Sequence, residues 1–415
     1  MPMPRAPYVT FAASSALLLM TGSAAVRAHL DAARFSKSLA VAPVPPPQPH
    51  WSAMTLRQLL IAVEASRDEG LRPEDYRHDE LQVALKTGRT GPEIETLATD
   101  SALQLAHDYA DGRVVHRERF GWHIDRPRTT PATLDRDLAN AVNGDTLPTY
   151  LEGLLPQDPR YAALRDALRE TPTDEDERVD HIRASMERWR WMPRTLGSDY
   201  IWVNVPTYRL SLYEGETAVA THDVVVGAPD TPTPLISAHV GSIIVNPWWT
   251  LPPTVMGEGK VRPGPGARSK GYVFSYAVNG RPRIRQRPGP TNSLGRLKID
   301  MPNAYAIYLH DTPAKSLFSK QERALSHGCI RVKDIAELAD RLVGSDDIDR
   351  AMTTYNTRTL QMQKTIPVYI VYFTAGPDPV GKVATYDDPY DQDASLVAAL
   401  DHNHSAARTT SGRTS

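Results

Sequence analysis

The sequence has one cysteine, no surplus of either charge and no apolar run as long as a membrane-spanning helix. Because Cys329 is alone among 415 residues, an internal disulfide and a zinc site built on two or four cysteines are excluded. The 47 basic and 49 acidic residues give a net charge of −2, which argues against a nucleic-acid binder that works through bulk positive charge. Glycines (25) are fewer than prolines (35), which favours rigid connections over long regular helices.

The amino terminus has the pattern of an export signal. Arg5 precedes an apolar run of about a dozen residues, Val9–Met20, and small residues follow at Gly22–Ala25 and Ala28. We therefore predict a signal peptide over 1–28 and a mature protein outside the cytoplasm. The alternative is an uncleaved membrane anchor, although the run is shorter than the ~20 residues of a spanning helix.

The rest of the chain divides according to the period of its apolar residues. A proline-rich linker is predicted over 29–50, and a helical domain over 51–198, where apolar residues recur at helix spacing. Short segments rich in Val, Ile and Tyr follow over 199–376 and predict a β-sheet domain. The fold class that follows is α+β, with the helical domain first.

Two segments depart from this regular pattern. Residues 256–292 are rich in Gly, Arg and Pro and interrupt the series of strands. We predict that they form an insertion that covers one mouth of the sheet. The C-terminal segment, 377–415, is polar after Ala394 and is expected to be partly disordered.

The cysteine lies in a polar segment together with two histidines. His310 ends a strand-like run 19 positions before Cys329, and His327 and Gly328 directly precede the cysteine. A thiol becomes a nucleophile when a positioned imidazole removes its proton, and a glycine allows a tight turn. We therefore interpret Cys329 as a nucleophile activated by a histidine. The alternative is a buried, inert thiol, but polar neighbours such as Arg331 make it less favourable.

The residues Ser326–Val332 read SHGCIRV. This run resembles the active-site signature of the L,D-transpeptidases (the YkuD catalytic domain), and His310 matches the upstream histidine of that family. The resemblance covers about residues 50–393 and includes Arg188–Pro193 (RWRWMP) and Pro288–Gly295 (PGPTNSLG). Over this range the sequence is similar to the long branch of the family, which is found in Gram-negative periplasms. That branch has a helical scaffold before the catalytic domain and a capping insertion within it.

Two departures from that branch affect how the protein would reach its substrate. Members of the branch usually carry a small peptidoglycan-binding module before the Arg-Trp-Arg-Trp segment. Here only about ten residues, Arg169–Arg178, fill that place. The capping insertion is also short. Attachment to the cell wall is therefore expected to depend on the catalytic domain or on partner proteins.

The resemblance implies a mostly β, sandwich-like catalytic domain and a cysteine acyl-transfer reaction without a cofactor. Cys329 would attack the bond between meso-diaminopimelate and the terminal D-alanine of a peptidoglycan tetrapeptide, and His310 would carry the proton. A backbone carbonyl, such as that of Asp311, would orient the His310 ring. The N–H groups of Gly328 and Cys329 would stabilise the oxyanion, and His327 would shape the pocket. A second stem's diaminopimelate amine would then attack the thioester and form a 3-3 cross-link.

Four further residues are candidates for substrate binding. Arg331 either binds a substrate carboxylate or braces the turn by donating to backbone carbonyls. Tyr308 lies two residues from His310, hence on the same strand face, and either lines the groove or belongs to the core. Trp248 and Trp249 form either a ligand platform or a packing layer under the insertion. No metal is expected, since no His-Glu-x-x-His motif occurs.

Two other functions remain open from the sequence. The same nucleophile could pass the acyl group to water, which would make the protein an L,D-carboxypeptidase or hydrolase. The chain could also be a non-catalytic wall-binding scaffold that keeps the fold. The expected partners are a tetrapeptide donor and a diaminopimelate acceptor, without nucleic acid. The expected location is the periplasm, and the inner membrane is involved only if the N-terminal segment stays uncleaved.

Overall fold

A computed structural model describes residues 47–172, 174–343 and 347–402 of the chain. The predicted export segment, most of the proline-rich linker and the end of the polar tail lie outside these residues. In the described part, none of the helices combines the length and the apolar character that crossing a bilayer requires.

Helices make up most of the described chain up to residue 198. They are α1 (Ala53–Ala65), α2 (His78–Thr87), α3 (Pro92–Asp111), α4 (Pro131–Asn143), α5 (Leu147–Leu154), α6 (Pro159–Glu170) and α7 (Asp176–Trp191). Helix α1 begins after Ser52, whose hydroxyl accepts from the Thr55 N–H (3.1 Å). Leu59 and Val63 are fully buried on its inner face, at the helix spacing that the sequence predicts.

The strands vary in length from two residues to the 14 of β13, and most of them follow one another directly in the chain. In chain order they are β1 (Trp122–His123), β2 (Asp199–Asn204), β3 (Arg209–Glu214), β4 (Thr217–Gly227), β5 (Leu235–Val245), β6 (Trp249–Thr250), β7 (Tyr272–Tyr276), β8 (Pro282–Gln286), β9 (Leu297–Asp300), β10 (Leu309–His310), β11 (Ala324–Ser326), β12 (Ile330–Val332), β13 (Arg358–Val371), β14 (Ala375–Pro377) and β15 (Val383–Thr385).

Eight of these strands close into a ring. The order is β5-β13-β2-β3-β4-β12-β10-β9, and β9 pairs with β5 to complete it. The pairs β13–β2 and β10–β12 are parallel, and the other neighbours in the ring are antiparallel. Val224, Ile243 and Ile370 are among the fully buried residues of this domain. The predicted α+β class is confirmed, and the sheet is barrel-like, because closure leaves no free edges within the ring.

The predicted insertion and the short strand before it form a small sheet of their own. Strands β6, β8 and β7 pair antiparallel in that order, together with two short helices, α8 (Pro253–Gly257) and α9 (Pro265–Ser269). We call residues 248–292 the cap; it includes the predicted insertion at 256–292 and the short strand before it, with Trp248. Two further helices, α10 (Ile335–Val343) and α11 (Asp347–Met352), follow β12. The predicted domain limits stay predictions.

The C-terminal segment returns to the helical part and is fixed there by buried charge. Sequence analysis expects the C-terminal segment to be partly disordered. In the structure its described end includes helix α12 (Asp393–Asp401), which buries an apolar face. Arg188 of α7 has no exposed surface and forms an ion pair with Asp393 of α12 (2.6 Å). Because an unpaired buried charge is costly, this pair fixes how α12 docks.

Candidate active site

Two short parallel strands bring the predicted histidine and cysteine to one face of the sheet. In β10 and β12, His310 lies opposite Arg331. The N–H of Ile330, the residue after Cys329, donates to the Tyr308 carbonyl (3.1 Å), so Tyr308 lies opposite Cys329 in the register of the two strands. Side chains alternate along a strand and share a face with their neighbours across the sheet. All four side chains therefore project from the same side.

The turn before Cys329 requires a glycine and is held by two hydroxyl groups. Gly328 has φ +102°, a conformation that residues with a Cβ rarely adopt. The Ser326 hydroxyl donates to the Cys329 carbonyl (2.5 Å) and accepts from the Gly328 N–H (3.2 Å). The Thr233 hydroxyl donates to the Gly328 carbonyl and accepts from the Gly227 N–H, both at 2.8 Å. The backbone beside the thiol is therefore fixed in the free protein.

This turn changes the expected set of oxyanion donors. The Gly328 N–H, one of the two predicted donors, is already bonded to the Ser326 hydroxyl. One N–H cannot serve two acceptors at full strength. The Cys329 N–H has no recorded acceptor in the described residues, so it is the predicted donor that stays available.

His310 is a neutral base in the resting site. Its side chain is buried, and Nδ1 lies 2.5 Å from the Asp311 carbonyl oxygen, as the sequence analysis expects. A carbonyl only accepts, so Nδ1 carries the proton and Nε2 keeps its lone pair. Burial, with a contribution from the charge of Arg331, lowers the pKa of His310 to about 4. The ring is therefore uncharged near pH 7.

The thiol of Cys329 is protonated at rest. Burial raises the pKa of the thiol, and the backbone N–H and hydroxyl of Tyr308 lower it only in part. Sγ lies 3.8 Å from the Ala306 carbonyl oxygen, which accepts from the thiol. Among the described residues, no hydrogen bond joins Sγ to His310. Proton transfer therefore requires the Cys329 side chain to turn from Ala306 towards the imidazole.

Arg331 and Lys298 place positive charge beside the thiol. Burial lowers the pKa of the half-buried Arg331 guanidinium, and the nearby Cys329 opposes this effect. In the part of the chain that the structure describes, no hydrogen bond or ion pair of this guanidinium is recorded, so its predicted alternative role as a brace of the turn finds no support. Lys298 pairs with Asp300 (2.7 Å), and its Nζ lies 4.4 Å from the centre of the Tyr308 ring.

The two tryptophans of the cap have different surroundings. Trp249 lies near the Tyr308 hydroxyl, where burial raises the pKa of Tyr308 and Trp249 lowers it in part, and this hydroxyl lies near the thiol of Cys329. Trp248 instead packs within the cap, where the guanidinium carbon of Arg285 lies 4.4 Å from its ring centre. The structure therefore brings Trp249 and Tyr308 into the site and leaves Trp248 outside it.

His327 binds the cap rather than the thiol. Its Nε2 donates to Oε1 of Glu258 (2.5 Å), at the end of α8, and Glu258 also pairs with Lys260 (2.8 Å). The pKa of the Glu258 carboxyl is lowered by Lys260 and by His327. The expected pocket-forming role of His327 is thus indirect, through the position of the cap.

Sequence reasoning missed the residues that hold the turn. Thr233 lies in the connection between β4 and β5, and Tyr390 lies near the C terminus. The Tyr390 hydroxyl donates to the Gly227 carbonyl (2.8 Å) and accepts from the Thr233 N–H (3.1 Å). Contacts over such separations leave no pattern in one sequence. Ser326 did carry a signal, its place within the SHGCIRV run, although no role was assigned to it.

The chemistry of the site rests on a thiol, an imidazole and two cations. Across residues 47–402, apart from the two short gaps, no group of three or more His, Cys, Asp or Glu side chains is arranged to hold a metal ion. The arrangement is suited to nucleophilic acyl transfer, in which a neutral imidazole removes and returns a proton.

Comparison with known proteins finds a family or domain model that matches each part of the chain. A model of the YkuD L,D-transpeptidase catalytic domain matches residues 198–370, and a Scaffold domain model matches residues 47–168. A curated Haemophilus influenzae protein named "Putative L,D-transpeptidase" is 27% identical over 287 residues. This match covers 63% of the chain and 58% of the relative's length.

The likeness to solved structures is much weaker. The L,D-transpeptidase from Mycobacterium smegmatis is 14% identical, with a TM-score of 0.24, over 42% of this chain and 58% of that one. The catalytic domain of the E. faecium L,D-transpeptidase, acylated by ertapenem, is 16% identical, with a TM-score of 0.21, over 43% of this chain and 99% of that one. Scores this low establish no correspondence of individual residues.

Proposed function

The catalytic part of this chain belongs to the YkuD L,D-transpeptidase family, and from that premise we propose that the protein is a peptidoglycan L,D-transpeptidase with Cys329 as its nucleophile. The observation that carries the proposal is the shared face of β10 and β12. It presents a neutral imidazole, a protonated thiol and a guanidinium that has no ion-pair partner among the described residues. These are the groups that acyl transfer from a carboxylate-bearing peptide needs.

In the acylation step, Nε2 of His310 takes the thiol proton, and Sγ attacks the carbonyl between diaminopimelate and the terminal D-alanine. The Cys329 N–H donates to the oxyanion of the tetrahedral intermediate. When the intermediate collapses, the C–N bond breaks and the imidazolium gives its proton to the departing D-alanine amine. A thioester remains on Cys329.

The substrate itself would help this proton transfer. At rest the imidazole is a weak base, because burial and the charge of Arg331 both disfavour the imidazolium. A substrate carboxylate bound to Arg331 cancels that charge and so raises the pKa of His310. We therefore assign Arg331 to the carboxylate next to the reacting bond, where a planar guanidinium can bind both oxygens.

In the second step, the side-chain amine of another stem's diaminopimelate attacks the thioester. His310 takes a proton from the amine, the new amide forms, and the sulfur leaves and regains a proton. The product is a 3-3 cross-link. If water attacks instead, the product is a free tripeptide, which is the carboxypeptidase or hydrolase alternative.

The test is incubation of the purified chain with disaccharide-tetrapeptides, followed by mass spectrometry of the products. We expect cross-linked dimers and free D-alanine from the wild type and neither from Cys329→Ala. Tripeptide alone would favour the hydrolase. Wall binding without turnover, retained in full by Cys329→Ser, would favour the non-catalytic scaffold. A carbapenem should form a covalent adduct that Cys329→Ala lacks.

We also propose that this reaction takes place in the periplasm. The support is the pattern of Arg5, the apolar run Val9–Met20 and the small residues up to Ala28. Fractionation of cells that produce the full chain, with the intact mass of the product, is the test. We expect periplasmic protein shortened by about 28 residues, or membrane-bound protein if the segment is kept. A full-length cytoplasmic product would contradict the proposal.

A further inference from the structure

One strand of the cap presents a row of arginines on a single face. Arg281, Arg283, Arg285 and Arg287 alternate with other residues along β8 and its two flanking positions. The flanking positions keep the strand pairing, because the Ala277 N–H donates to the Arg281 carbonyl and the Arg287 N–H donates to the Gly271 carbonyl. Alternate residues share a face, so the four side chains form one line, here called the arginine row.

The other face of the hairpin is turned towards the active site. Gln286 lies on that face, is buried and accepts from the Ser293 N–H (2.9 Å) through its side chain. Trp249 pairs directly with Gln286, so their side chains share that face. Since Trp249 reaches the Tyr308 hydroxyl beside Cys329, the arginine row points away from the thiol.

Nothing within the described chain neutralises the arginine row. No Asp or Glu occurs from Gly259 through Ile299, a stretch with ten basic residues. The cross-strand neighbours of Arg283 and Arg285 are Ser275 and Val273, which carry no charge. In the described residues no ion pair involves the row, and Arg285 Nε is buried without a hydrogen-bond partner.

The spacing of the row suits a polymer rather than a single anion. Alternate residues of a strand lie about 6.6–6.8 Å apart, so the outermost arginines are about 20 Å apart. Arg281, Arg283 and Arg287 are exposed, and Arg285 is held against Trp248. Several carboxylates in series can therefore bind along the row at the same time, each in the planar geometry that guanidinium favours.

We propose that the arginine row is a second binding surface for peptidoglycan, which holds carboxylate-bearing stem peptides other than the one that reacts at Cys329. The inference rests on the proposed function for the identity of the polymer. Charge complementarity supports it, as does the position of the row on the cap directly beside the active site. The row would also supply the wall attachment that the short connection Arg169–Arg178 lacks.

The test is binding of the full chain to isolated sacculi across a series of salt concentrations. All proteins carry Cys329→Ala, so that no turnover occurs. The triple variant Arg281→Gln/Arg283→Gln/Arg287→Gln is compared with a matched variant that removes three exposed scaffold arginines, Arg57→Gln/Arg67→Gln/Arg119→Gln. Both variants have the same net charge, and equal thermal unfolding temperatures establish that both fold.

We expect the row variant to bind sacculi about tenfold more weakly at low salt, since three surface ion pairs are lost. Its binding should also depend less steeply on salt, and the scaffold variant should behave like the parent. Equal binding by the row and scaffold variants would overturn the proposal. Loss of binding only to vesicles with phosphatidylglycerol, and not to sacculi, would also overturn it and would indicate a membrane surface.

Turnover of soluble disaccharide-tetrapeptides separates this inference from the proposed function. With Cys329 intact, the row variant should match the wild type on these small substrates, because the row does not touch the reacting stem. An unreactive wild type that still needs the row to bind sacculi would refute the catalytic proposal and retain the binding surface.

Discussion

The burial of His310 predicts that the folded protein loses stability as the pH falls from neutral to about 4. The pKa of this ring is about 4 in the folded chain and about 6.5 in the unfolded chain. Between these values the unfolded chain binds a proton at the ring and the folded chain does not. Protonation therefore favours unfolding. The stabilising contribution of the neutral His310 ring to the folded protein is complete above pH 6.5 and is lost by about pH 4. A difference of roughly 2.5 pKa units corresponds to about 3 kcal/mol.

The measurement is the free energy of unfolding in urea at several pH values between 7 and 4.5, for the wild type and for His310→Gln. The glutamine cannot titrate, so the wild type should lose about 2–3 kcal/mol more than the variant over this range. The carboxylates titrate in both proteins and largely cancel in the difference. For each protein, the quantity compared is the change in the free energy of unfolding between two pH values. A destabilising effect of the substitution that is the same at every pH therefore cancels.

A second histidine supplies a control of opposite sign. The pKa of His181 is raised, chiefly by its hydrogen bond to Asp393 (2.7 Å). A raised pKa stabilises the folded chain below pH 6.5, and this contribution is lost as the pH rises through the folded value. Below pH 6.5 the His181 ring is protonated in both the folded and the unfolded chain, so His181→Gln should change the pH dependence of stability only above pH 6.5. His310→Gln should instead make the loss of stability below pH 6.5 shallower. Equal pH slopes for the wild type and His310→Gln would refute the assignment of a buried, neutral imidazole.

Three further predictions concern the nucleophile and its turn. Gly328→Ala should lower stability by about 1–3 kcal/mol and reduce turnover, because φ is +102° there. The control is Gly153→Ala, in a helix with open space around it, which should be neutral or stabilising by thermal unfolding. Thr233→Val leaves two backbone groups without a partner and should cost about 2–4 kcal/mol in urea unfolding, whereas the exposed Thr221→Val should cost almost nothing. Iodoacetamide should alkylate Cys329 several-fold more slowly than a free thiol at pH 7, with a rate that still rises above pH 9, since burial raises the pKa of the thiol.

The pairing of His310 with the cysteine strand could be predicted because it depends on local features. The histidine ends an apolar strand, and the glycine before Cys329 marks a turn into the next one. The two strands are neighbours in the sheet, so alternation alone decides which side chains share a face. The state of the site could not be predicted in this way. The Gly328 N–H donates to the Ser326 hydroxyl, and the thiol of Cys329 donates to the Ala306 carbonyl. Both hydrogen bonds depend on atomic positions to within a few tenths of an ångström.

The C-terminal helix shows why composition misled the reading of the tail. Leu396, Val397 and Leu400 form the buried apolar face of this helix, within a segment that is otherwise rich in alanine. What fixes the helix is Asp393, which pairs with Arg188 of α7 and accepts from Thr374 and from the ring of His181. Three partners from other parts of the chain, two of them fully buried, satisfy one carboxylate. That kind of stabilisation has no signal in the segment itself.

The cap reaches the site at two points, through Trp249 to the Tyr308 hydroxyl and through Glu258 to His327. The Tyr308 hydroxyl partly stabilises the thiolate of Cys329, so a displacement of Trp249 would alter the proton affinity of the sulfur. An anionic polymer on the opposite face of the hairpin need not disturb that contact. The cap can therefore hold the wall on its outer side and keep the nucleophile ordered on its inner side, because the two functions use alternate residues of one strand.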